Sequence, residues 1–225
     1  MEGKMLYSGK DLRKLIIPLI IEQILAIAVG MADTIMVSAA GEAAVSGVSL
    51  VDTVNILLIN VFSALATGGA VVSGHFLGKK KREDACKSAW QILLFATLLA
   101  FVISVIFITA HDPLLRLMFG KIEDDVMKAS KTYLIITTYS FVALAIYNSC
   151  AALFRAMNES KVTMWVSLLM NVINVVGNAI CIYGLHMGVA GVAIPTTISR
   201  YVAAVVIFLL MFQTKKEINL CGQEV

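Results

Sequence analysis

Charge is scarce in this chain, and so are the residues that build metal centres and disulfides. Asp, Glu, Lys and Arg make up 15% of the 225 residues, and there are three histidines and three prolines. The four cysteines, Cys86, Cys150, Cys181 and Cys221, form no CxxC pair and have no histidine at ligand spacing. A structural metal or disulfide framework is therefore not expected, and the cysteines read as small apolar residues. No nucleophile–base pair, phosphate loop or strand-linked glycine motif is visible, which argues against an enzyme. The net charge of +3 is too small to suggest nucleic acid as a partner.

Apolar residues supply what charge does not. They make up 59% of the chain, and the mean hydropathy is +0.87. A soluble domain of this length has no use for so much apolar surface, so the class is a polytopic membrane protein. A helical span needs roughly 20 mostly apolar residues. Six segments qualify, at about 15–37, 49–74, 89–110, 132–153, 162–184 and 187–212. Their short connections predict one all-α bundle, a single six-helix unit over residues 1–225. The first segment is too long, and too interrupted by Glu22, Gln23 and Asp33, to be a cleaved signal peptide.

Basic residues orient the bundle. With the N-terminus inside, the inner segments hold 13 of the 18 Lys and Arg residues, and the outer segments hold only Arg116, Lys121, Lys128 and Lys131. Both termini are therefore expected in the cytoplasm, in a multi-pass protein of the cell membrane. The run GKKKRED then faces lipid headgroups as a topology determinant. The outer stretch HDPLLRLMFG predicts a short interfacial helix, with Leu114, Leu115, Leu117, Met118 and Phe119 at the membrane surface and His111 exposed to solvent. Gly74 and Gly78 have the spacing of a close helix–helix contact.

The polar residues inside the spans carry the functional signal. Asp33 is a carboxylate within an apolar stretch, where translocon scales put its cost at roughly 2.5–3.5 kcal/mol. Asn171, Asn174 and Asn178, spaced i, i+3, i+7, fall on one helical face and predict a polar cavity wall. Counting at 1.5 Å per residue puts Asp33, Asn178 and Thr196 all in the outer half of the bilayer. Carboxylate, amide and hydroxyl oxygens suit a sodium ion, at Asp33, Asn174 and Asn178, or a shared proton. Pro195 frees a backbone carbonyl nearby. Asp52 and Asn55 share a face near the outer end, to line a vestibule or to meet headgroups. Glu22 and Arg200 come out at similar depths, which predicts that they neutralise each other as a structural pair.

In order along the chain, the stretches PLIIEQ, GMADTIMVS, HFLGKKKREDA, LFRAMNESK, NVINVVGN and GVAGVAIPTTISR resemble the N-terminal lobe of the MATE (multidrug and toxic compound extrusion) family. The resemblance implies an antiporter that exports amphipathic organic compounds in exchange for Na⁺ or H⁺. It assigns the coupling-ion site to Asp33, Asn174, Asn178 and Thr196, and matches Pro18 to a helix-bending proline. Asn178 stands where some proton-coupled relatives have an aspartate, and Val29 where they have a tyrosine. A sodium cage and a single-carboxylate proton site therefore both remain open. Members of the family have two six-helix lobes, so this chain is expected to be a fragment or isolated lobe, completed by a second lobe or a second copy. A lipid-linked sugar flippase of the same superfamily would need a strongly cationic cavity, and Arg200 is the only buried cation the sequence offers. An inactive or partner half-protein is the other alternative.

Overall fold

The computed structural model describes residues 9–213. Lys4, Lys215, Lys216, Cys221 and the tail INLCGQEV lie outside the described residues. The described chain is helical, in the order α1 (Gly9–Ser38), α2 (Glu42–Gly78), α3 (Arg82–Thr109), α4 (His111–Phe119), α5 (Asp124–Thr138), α6 (Phe141–Ala156), α7 (Ser160–Ala179) and α8 (Ala190–Gln213), with one π-helical turn at Ile180–Gly184 after α7. Five helices are long and apolar enough to cross a membrane, and the bent pair α5 and α6, taken as one broken span, brings the number to six.

That break departs from the single helix expected over 132–153. The two halves meet at an angle of 51°, at Tyr139 and Ser140. The cause is a run of hydroxyls that turn back onto the backbone. Thr137 Oγ1 donates to the Tyr133 carbonyl at 2.8 Å, Thr138 Oγ1 to Leu134 at 2.7 Å and Ser140 Oγ to Thr137 at 2.6 Å. Such bonds compete with the helical ladder and bend it. Backbone freed inside a bilayer needs other donors, and α8 supplies them. Thr197 Oγ1 donates to the Ile136 carbonyl at 3.0 Å and Tyr201 Oη to the Tyr139 carbonyl at 2.7 Å.

The bundle centres on α2, which packs against α3, α5 and α6, while α7 packs between α1 and α8. Small residues set the closest approaches. On α3, Ala85, Ala89, Ala96 and Ala100 recur on one face and are fully buried. The close contact expected at Gly74 and Gly78 lies elsewhere on α2. A Cβ at Gly74 would come no nearer than 3.8 Å to Ala156, and one at Gly78 would meet open space, whereas one at Gly69 would run into Ile92. At Gly47, a Cβ would lie 2.8 Å from the Ser130 backbone nitrogen, so only glycine lets α5 lie this close to α2.

The short helix α4 forms as expected, but of the five apolar residues placed at the membrane surface only Leu117 and Met118 are exposed. Leu115 is buried in the core cluster with Met36, Val48 and Leu134, and Phe119 packs against it. His111 is partly buried, its Nδ1 2.8 Å from the Ile108 carbonyl. The outer faces of α1 and α3 are apolar, with Ile24, Ile27 and Met31 on one and Leu94, Leu98 and Phe101 on the other.

Candidate cation-binding site

Three helices meet where the sequence put its outer polar residues. The α7 asparagines face inward because the buried side of this helix is almost wholly polar. Close contact between α7 and α8 follows from Gly177, whose Cβ would stand 2.6 Å from the Pro195 ring. That contact brings Thr196 onto the asparagine stripe. Asn178 Nδ2 donates to Asp33 Oδ1 at 2.7 Å and approaches Asn174 Oδ1 at 3.2 Å. Asn174 Nδ2 donates to Thr196 Oγ1 at 2.9 Å, and Thr196 Oγ1 donates to the Val192 carbonyl at 2.8 Å. One hydrogen-bonded chain thus joins all four residues singled out for the site. Asn178 is fully buried, yet its Oδ1 has no hydrogen-bond partner. Asn171, the third member of the stripe, is buried outside this chain, and its Nδ2 is also without a partner.

A second carboxylate stands nearby. Asp52 Oδ1 accepts from Tyr133 Oη at 3.0 Å and from Asn55 Nδ2 at 3.3 Å. A cavity of about 20 Å³ lies between α1, α2 and α5, with Asp33, Ser49, Asp52 and Tyr133 in its wall. That is room for about one water or one small ion. Asp52 therefore lines this small pocket, and Tyr133 and Asn55 hold its carboxylate. The one basic group within electrostatic reach of Asp33 and Asp52 that the structure shows is Arg200. Its guanidinium also donates to Ser140 Oγ at 2.9 Å, which ties it to the α5–α6 break. With all three groups ionised, the site carries one negative charge in excess. Low-dielectric surroundings favour neutralising that charge with a monovalent cation or a proton.

The predicted pair of Glu22 and Arg200 does not exist. Glu22 Oε1 accepts from Arg155 at 2.8 Å, and its Oε2 accepts from Thr163 Oγ1 at 3.3 Å. Depth along the membrane normal is one coordinate, and it left the lateral ones open. α1 packs chiefly on α7, beside the end of α6 that carries Arg155. Arg200 donates instead to Ser140 Oγ. Pro18 is buried in an α1 that continues as a helix on both sides of it. Sequence reasoning missed Tyr133 and Arg155 as partners. Tyr133 lies near the start of the fourth apolar segment, at the depth of Asp52, and that signal was available. Arg155 looked like a topology determinant because its stem reaches inward from the helix end.

Comparison with known proteins supplies the family. The MatE family model matches residues 18–180. The chain is 31% identical over 199 residues to the uncharacterized transporter YisQ of Bacillus subtilis, covering 86% of this chain and 43% of YisQ. It is 26% identical over 211 residues to a probable multidrug resistance protein NorM of Thermotoga maritima, covering 92% of this chain and 45% of that protein. Its fold matches an outward-facing MATE transporter of the MOP superfamily with a TM-score of 0.87 at 24% identity, over 96% of this chain and 48% of that one. The chain spans about half the length of the curated relatives it matches. This multi-pass membrane chain belongs to the MatE family.

Proposed function

We propose that the chain is one six-helix lobe of an exporter of amphipathic organic compounds, driven by entry of Na⁺ or H⁺. Asp33 is the ion-binding carboxylate, and Asn178, Asn174 and Thr196 are its supporting oxygens and donors. The observation that carries this reading is the pair of carboxylates, Asp33 and Asp52, on one small pocket, beside the unpartnered Oδ1 of Asn178. Two carboxylates with a free acceptor beside them suit a monovalent cation or a proton better than they suit packing. In this reading the basic end, with Lys79, Lys80, Lys81 and Arg82, faces the cytoplasm and the Asp33 end faces outward. Ion binding favours one arrangement of α1, with Pro18 as the point about which it bends. Only differential affinity for two states drives such a change. A second lobe, or a second copy in the same orientation, completes the substrate cavity.

The test is efflux of a fluorescent organic cation from membrane vesicles carrying the chain with its complementary lobe. Asp33→Asn is expected to reduce gradient-driven efflux at least tenfold while the protein still inserts. Efflux at the original rate would exclude Asp33 as the coupling group. Running the assay under a sodium gradient alone and then a proton gradient alone identifies the ion.

A further inference from the structure

The inward face of α7 stays polar far beyond the Asp33 site. Its buried residues are Ser160, Thr163, Ser167, Asn171, Asn174 and Asn178, and Val166 is the one apolar residue among them. The spacing of 3, 4, 4, 3 and 4 residues keeps them on one stripe, about 27 Å long at 1.5 Å per residue. A carboxylate of α1 is bound near each end of the stripe, Asp33 at Asn178 and Glu22 at Thr163. Between them, the residues that α1 turns toward the bundle, Leu25, Val29 and Ala32, are all apolar.

Polar groups that act as glue between membrane helices bond one another or a nearby carbonyl. Three atoms along this stripe do neither. Ser160 Oγ, Asn171 Nδ2 and Asn178 Oδ1 are buried without a hydrogen-bond partner, as is Arg155 Nε of α6 at its inner end. The Tyr147 hydroxyl lies beside both Glu22 and Ser167. Each such group costs about 1–3 kcal/mol if it stays dry. Bridging water would satisfy such groups, because buried water collects where two or more polar partners converge.

We infer that the α7 stripe is a hydrated path through the lobe, along which the coupling ion passes between Asp33 and the basic end, with the Glu22–Arg155 pair as its inner gate. This rests on the ion-coupled reading above and adds the route the ion takes. The pair is placed to close the path, since Arg155 (α6) and Thr163 (α7) hold Glu22 (α1) from two sides. Separation of α1 from α6 opens it. A cation leaving Asp33 then meets hydroxyl and amide oxygens at each turn and a second carboxylate at the exit.

The path can be tested without any transport measurement. In a chain whose four native cysteines are replaced by alanine, Ser167→Cys and Asn171→Cys are introduced singly. Inverted membrane vesicles are then treated with a small, positively charged, membrane-impermeant thiol reagent. Both are expected to react at least tenfold faster than Ala151→Cys, a control buried in the apolar core cluster. Rates as slow as that control would overturn the hydrated path. Adding Glu22→Gln is expected to raise the Ser167→Cys rate several-fold, and an unchanged rate would overturn the gate. Thiol labelling requires no bound ion and no efflux, so it reports on the path even if Asp33 proves not to be the coupling group.

Discussion

At the scale of residues, what decides each buried charge is who else is within reach. Glu22 has Arg155 and Thr163, and Arg155 is only about a quarter exposed. Removing one partner of a largely buried pair leaves the other uncompensated, at about 3 kcal/mol. Glu22→Leu and Arg155→Leu should each lower stability by about that much, read by thermal unfolding in detergent with Trp90 and Trp165 as reporters. The exchange Glu22→Arg with Arg155→Glu should recover part of the loss, and pairing Glu22→Arg with Arg200→Glu should recover none. If the second exchange rescues and the first does not, the assignment is reversed. The sequence was legible here in proportion to how many coordinates it supplied. Asp33, Asn178 and Thr196 were grouped by depth, with a shared helical face for the asparagines and a family resemblance that named the same set. Glu22 was given a partner by depth alone, and that partner was wrong.

At the scale of elements, apolar length located all six crossings, because the bilayer demands it. The α5–α6 break was not legible. Thr137, Thr138 and Ser140 barely change the hydropathy of that span, and their effect depends on donors from Thr197 and Tyr201, more than fifty residues away. The small-residue contacts were legible as a class but not by position, since GHFLG has the right spacing and the wrong neighbours. Gly177 tests this directly. Its missing Cβ permits the α7–α8 contact that sets Asn174 against Thr196. Gly177→Ala should cost about 1–3 kcal/mol through overpacking against Pro195. It should also weaken ion binding, measured by titration calorimetry, more than Gly78→Ala, which adds a methyl group to open space. Equal effects at the two glycines would mean that the contact does not shape the site.

At the scale of the whole molecule, α1 is the least covered of the helices able to span the membrane. It shows Ile16, Ile20, Ile24, Ile27, Met31 and Ile35 on its surface while its narrow inner stripe carries Glu22 and Asp33. A helix that carries Asp33 and packs chiefly on α7 has a wide apolar face left for either lipid or protein. Some transporters are built of parallel repeats related by an axis along the membrane normal, and the matched relatives are about twice as long as this chain. Two copies with the same orientation could then set one α1 near the other. In a cysteine-free chain, Ile24→Cys should cross-link between copies in native membranes under oxidising conditions, and Leu98→Cys on the outer face of α3 should not. Cross-linking at both positions would indicate random collision. Cross-linking at neither, with efflux restored only by co-expression of a different lobe, would make the partner a separate chain and leave α1 as the face it covers.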